Sequence, residues 1–94
     1  MTKQYDLVII GGGIMGLMTA YYASKLTRRV ALVEKSTIGN AKSASFGYTR
    51  SIRNDYLDPY LSRLAMESSK LWKDLERESN TKLLITCGVL NIAK

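Results

Sequence analysis

"DLVIIGGGIMGLMTA", Asp6 to Ala20, is the stretch that decides the fold of this 94-residue chain. Tyr5 to Ile10, with its continuous Leu-Val-Ile-Ile core, ends abruptly at Gly11, Gly12 and Gly13, with a further glycine at Gly16. A short continuous apolar run bounded by glycine reads as a strand buried on both faces, and such strands are parallel. Beyond the glycines, Ile14 to Leu26 contains good helix formers and no proline. Gly13, Gly16, Ala20 and Ala23 fall at helical spacings, so small residues line a face that can lie close to a sheet. Leu17, Met18 and Tyr21 fill the neighbouring surface. Arg28 and Arg29 then sit where cations meet the negative end of the helix dipole. Val30 to Glu34, "VALVE", is a second short buried strand. Strand, helix and strand within about 30 residues make a βαβ unit, whose crossover is expected to be right-handed.

The same glycines satisfy G-x-G-x-x-G at Gly11, Gly13 and Gly16, directly after a strand and at the opening of a helix. Gly11 allows the tight turn, Gly13 lets backbone approach a pyrophosphate, and Gly16 permits close contact between helix and strand. The free N–H groups of the first turn, at Ile14 and Met15, then face an anion. Glu34 ends the second strand at about the distance where an acidic side chain accepts hydrogen bonds from ribose hydroxyls. The plainer alternative is that the glycines serve only turn and packing. Strand, motif, helix, strand and terminal acid together favour a dinucleotide, and these features alone leave NAD and FAD both open.

From Lys35 to Asp58 periodicity is weak and Ser, Gly, Asn and Asp are frequent, which predicts a loop with a turn or two of helix near Thr49 to Arg53. Asp58-Pro59 then supplies an N-cap and a proline at the first helical position. A long helix over 59–79 follows, with Leu61, Leu64, Leu71, Trp72 and Leu75 on one face, and Ser79-Asn80 ends it. Leu83 to Cys87 and Val89 to Ala93 read as a strand pair bulged at Gly88. Trp72 is expected in the core, and Cys87 is expected to be a small buried hydrophobe. One small domain is all that 94 residues allow. Its net charge of +6 is spread along the chain, which suits phosphate or acidic ligands and argues against a nucleic-acid partner. One cysteine and no histidine exclude a disulfide framework and a protein-built zinc site, and fit a reducing, cytoplasmic setting. No apolar run is long enough for a signal core or a membrane span.

"DLVIIGGGIMGLMTAYYASKLTRRVALVEK" resembles the N-terminal fingerprint of FAD-dependent amine oxidases of the D-amino-acid oxidase superfamily, including Ala20 after the third glycine. Where that family usually has glycine at the helix end, this chain has Thr27. The second half resembles the monomeric sarcosine oxidase branch in its T-R-x-I-R segment, its L-W-x-x-L-E helix and its T-x-G-V-L stretch. The resemblance implies an α/β fold: the N-terminal βαβ of a Rossmann-like FAD-binding domain, then a loop, a long helix and the start of a second sheet. It implies FAD as cofactor, contacted by Gly11, Gly13, Ile14, Met15, Gly16, Glu34, Lys35, Ser43, Ala44, Ser45, Thr49 and Arg50. It also brings Thr49 and Arg50 beside the isoalloxazine and gives Arg53 the substrate carboxylate. Without the resemblance, Arg50 and Arg53 are as readily solvated loop cations. Phe46 stands where many relatives carry histidine, which bears on substrate preference and flavin tuning.

The implied substrate is a small-molecule amine or amino acid, secondary or N-substituted. Its oxidation passes a hydride from the carbon next to nitrogen to the flavin, the imine hydrolyses, and oxygen takes the electrons to give peroxide. Oxidases of this kind are several times longer than this chain, so the 94 residues are expected to be the N-terminal piece of one, inactive alone, with the remainder of the polypeptide as partner. A stand-alone nucleotide-binding module and an NAD-dependent dehydrogenase fragment are the competing readings.

Overall fold

The apolar runs on either side of the glycine turn become two strands with a helix between them. A computed structural model describes residues 2–93 and orders the elements as β1 (Leu7–Ile10), α1 (Ile14–Ser24), β2 (Val30–Val33) and α2 (Pro59–Ser79). The chain divides into two compact units, Met1–Thr49 and Arg50–Lys94.

In the first unit β1 and β2 pair in parallel, with Leu7 opposite Val30 and Ile10 opposite Val33. The ladder runs on at both ends: Asp6 N–H donates to Arg29 O at 2.8 Å, and Gly11 N–H to Val33 O at 2.8 Å. Helix α1 packs on both strands. Ile9, 9% exposed, is the buried hydrophobe among the described residues. The Asp6 carboxylate accepts hydrogen bonds from the Thr27 hydroxyl and from Arg29, which fastens the start of β1 to the approach to β2. Thr27, then Arg29, holds the Asp6 carboxyl below the usual carboxylate range. Thr27 therefore has a structural partner where glycine was the expected residue. Helix α1 ends two residues before the expected Leu26, and its C-cap Lys25 stays right-handed. The N–H groups of Leu26 and Thr27 return to Ala23 O, so this helix end needs no left-handed glycine.

In the second unit Asp58 caps α2, its carboxylate accepting from Tyr60 N–H at 2.8 Å, with Pro59 at the first position. Asn80 closes the helix in the left-handed conformation, at φ +50°. Four expectations are corrected in this unit. Residues 50–56 hold no helical turn. Leu83 to Cys87 and Val89 to Ala93 form no ladder, because an isolated strand pair with no third strand or packed helix is marginal at best. Cys87 is exposed rather than buried, since it lies on that unpaired segment. Trp72 is only half-buried, and Leu61, Leu64 and Leu71 on the same helix are each 45% exposed, so the stripe has little packed against it. The segment after α2 is still tied back: Leu84 N–H donates to Glu76 Oε1 at 2.6 Å, and Lys82 Nζ lies 3.5 Å from Glu76 Oε2.

Candidate functional site

The β1–α1 turn builds the site from backbone. Gly11 takes φ +108°, where an L side chain is strained, and so directs the chain from strand into helix. One turn later the helix comes back against that same residue. A Cβ on Gly16 would sit 1.8 Å from Gly11 O, so only a hydrogen fits.

Gly13 is the N-cap of α1 and has no side chain with which to cap it. The missing acceptor comes from far along the chain. Ile14 N–H donates to Ser45 Oγ at 2.8 Å, and Ser45 N–H donates to Ser43 Oγ at 3.2 Å. Consecutive turns carry the loop there, with Asn40 N–H on Thr37 O, Ser43 N–H on Asn40 O and Phe46 N–H on Ser43 O. The two hydroxyls lie 3.1 Å (Ser45) and 3.4 Å (Ser43) from where a Cβ on Gly13 would be. Positive helix end, absent side chain and two rotatable hydroxyl donors suit a phosphate anion.

Glu34, just beyond β2, supplies the opposite chemistry. Its Oε2 accepts Gly12 N–H at 2.7 Å and its Oε1 accepts Ser36 N–H at 3.1 Å. The Gly12 bond, followed by that of Ser36, holds this carboxyl below its ordinary range, and the charge of Lys35 adds to the effect. With the N–H groups of Gly12, Ser36 and Lys35 upon it, the carboxylate, with about four acceptor sites, still has capacity for a sugar hydroxyl. The residues present therefore fit both parts of a dinucleotide's adenosine diphosphate: a phosphate at the α1 start and a ribose diol at Glu34.

Of the residues named from sequence, the structure brings Gly11, Gly13, Ile14, Gly16, Glu34, Ser43 and Ser45 together around this turn. Met15 is exposed on the first turn of α1, Lys35 and Ala44 are exposed on the loop, and Thr49 closes the unit. Arg50 and Arg53 belong to the second unit. There the Arg53 guanidinium lies over the Tyr56 ring, its Cζ 5.0 Å from the ring centroid, and its Nε lies 3.8 Å from Asp55 Oδ1. Sequence reasoning missed Gly12, Ser36 and Ile38. A Cβ on Gly12 would lie 2.5 Å from Ile38 Cδ1 and 3.1 Å from Glu34 Oε2, so this glycine lets the carboxylate close onto the turn. The run of three glycines was its one available signal. Among the described residues no cluster of His, Cys, Asp or Glu could hold a metal, and no helix is long and apolar enough to cross a membrane.

Comparison with known proteins gives a match to the family described as FAD dependent oxidoreductase over residues 6–94. The chain belongs to this FAD dependent oxidoreductase family. It is 35% identical over 86 residues to the human peroxisomal sarcosine oxidase, covering 92% of this chain and 22% of that protein. It is 33% identical over 90 residues to a monomeric sarcosine oxidase of Arthrobacter, covering 94% of this chain and 23% of the relative. With the sarcosine oxidase subunit beta of Rhizobium meliloti the identity is 40% over 92 residues, 95% of this chain and 22% of that subunit. The chain thus spans less than a quarter of the length of these relatives. No solved structure matches it significantly. The resemblance to FAD-dependent amine oxidases of the sarcosine oxidase kind is borne out.

Proposed function

We propose that the protein binds FAD and oxidises a secondary or N-substituted amino acid of the sarcosine type, with oxygen as electron acceptor. The observation that carries the reading is the Glu34 carboxylate, locked by Gly12 and Ser36 N–H groups beside the glycine-lined start of α1, in a chain whose family is FAD dependent. Glu34 holds the adenosine ribose. Gly13, Ile14 and Met15 present backbone, and Ser43 and Ser45 present hydroxyls, to the pyrophosphate. Lys35 and Ala44 flank these groups, while Thr49 and Arg50 serve the flavin ring. Bound FAD would supply the two-electron acceptor for oxidation at the carbon next to nitrogen and the route to oxygen. Arg53 holds the substrate carboxylate by a charge-assisted contact, which fixes that carbon for reaction. The small-molecule amino acid is the only substrate class this reading needs. The cytoplasm is the proposed compartment, from a single cysteine with no disulfide partner.

The native-length protein should purify yellow, release FAD on denaturation, and form peroxide when given sarcosine and oxygen. Stoichiometric NAD in place of flavin would overturn the reading. The lowered Glu34 carboxyl adds a pH test. Because its folded value lies below the ordinary 4.5, its bonds stabilise the fold above that pH, and the stability is lost as pH falls through the lower folded value. FAD retention should accordingly hold from neutral pH down past the ordinary 4.5 and fall only as the pH passes through the lowered Glu34 value. Glu34→Gln, measured by flavin-to-protein ratio after gel filtration, should retain less FAD and lose the part of the acid transition that belongs to this carboxylate.

A further inference from the structure

Arg53 lies on a short stretch whose neighbours are arranged around it in three ways. The Arg53 guanidinium sits over the Tyr56 ring, with Cζ 5.0 Å from the centroid. Asp55 Oδ1 approaches Nε at 3.8 Å, close enough for an ion pair and too far for a hydrogen bond. The Ser62 hydroxyl, on the first turn of α2, is 2.9 Å from the carbonyl oxygens of both Asn54 and Tyr56, so it pins the backbone that carries the ring. Arg53, Asp55 and Tyr56 line one concavity of about 560 Å³ together with Leu57 and Leu61, ample for a small amino acid.

A cation–π contact is an attraction of charge to ring and forms no conventional hydrogen bond with the guanidinium N–H donors. Among the described residues Arg53 makes no hydrogen bond with those donors; its partners are the Tyr56 ring and the Asp55 charge. A guanidinium held over a ring, with its N–H donors outside any hydrogen bond, is prepared for a carboxylate. Asp55, one carboxylate already near Nε, is a built-in competitor for the same cation.

We infer that Tyr56, braced by Ser62, is a positioning residue that presents the Arg53 fork to the substrate carboxylate, and that Asp55 occupies the cation until substrate displaces it. The inference rests on the oxidase reading above and deepens it by assigning how carboxylate selectivity is set. A clamp acting through Arg53 affects only substrates that carry the carboxylate.

The test is steady-state kinetics of the native-length, flavin-loaded protein with sarcosine and with sarcosine methyl ester. Tyr56→Leu should raise KM for sarcosine about two- to fivefold, the range for an exposed cation–π contact, with kcat nearly unchanged and the ester's KM unmoved. Tyr56→Phe keeps the ring and should behave as wild type. Asp55→Asn should lower KM for sarcosine, by up to about fivefold for an exposed ion pair, and leave the ester alone. If Tyr56→Leu does not fold, Ser62→Ala, which removes one hydroxyl, should reproduce its direction. Equal rises for acid and ester, or no change in an active enzyme, would overturn this inference alone. A wild-type protein that oxidises neither compound would overturn the oxidase reading and this inference with it.

Discussion

Gly16→Ala should be strongly destabilising, although intrinsic helix propensity favours alanine by about 1 kcal/mol at such a position. The added Cβ would lie 1.8 Å from Gly11 O and 2.9 Å from Gly11 C, both backbone atoms, and 3.5 Å from Ile9 Cγ2. No side chain can turn aside to relieve the first two contacts. The helix must move off β1, which disturbs Ile9, the buried hydrophobe of the first unit. Overpacking of a fitted site typically costs about 1–3 kcal/mol, and a clash with backbone belongs at or above the top of that range. Whole-domain stabilities are only about 5–15 kcal/mol. Denaturant unfolding of the native-length protein should therefore show a clear fall in midpoint for Gly16→Ala and reduced flavin content. Gly12→Ala is the internal comparison. Its Cβ would meet the Ile38 side-chain end at 2.5 Å, which can rotate away, so its loss should be smaller. A midpoint for Gly16→Ala equal to wild type would show that helix and strand are not in close contact there.

The legible parts of this chain are those written locally. Leu7–Ile10, the glycine turn, the α1 pattern and Val30–Val33 are contiguous signals, each readable in a window of a few residues, and they fold as β1, α1 and β2. Asp58-Pro59 and Asn80 mark the ends of α2 for the same reason, since a cap acts on its own first or last turn. The contacts that finish the nucleotide site are of another kind. The Ser45 cap on Ile14 N–H joins residues far apart in sequence across a loop without periodicity, and nothing in a single window announces it. Ser43 and Ser45 were reached through family resemblance, whereas the Gly12 and Ser36 N–H groups that orient Glu34 belong to backbone, which side-chain identity does not reveal. Residues 83–93 show the opposite failure. Their β-branched and apolar content is a propensity for strand, but a strand is a pairing, and among the described residues no partner meets it.

Arg53→Ala should give the largest kinetic loss of any single change considered. If its guanidinium holds the substrate carboxylate, deleting it leaves a charge unpaired in the complex, and kcat/KM should fall by about 2–5 kcal/mol, or some thirtyfold to a few thousandfold. The change should cost the folded protein little, because the Arg53 side chain is half-exposed and its ion pair with Asp55 is long. Flavin content should consequently survive, which separates a lost substrate contact from a damaged fold. Arg50→Ala should behave differently: with the flavin as its proposed neighbour, it should alter the flavin spectrum or reactivity before any substrate is added. Arg53→Lys refines the result, since lysine keeps the charge but not the planar fork. Partial rescue by lysine would mean that the carboxylate is held mainly by charge; no rescue would mean a bidentate clamp. Unchanged steady-state kinetics in Arg53→Ala would remove this residue from the active site.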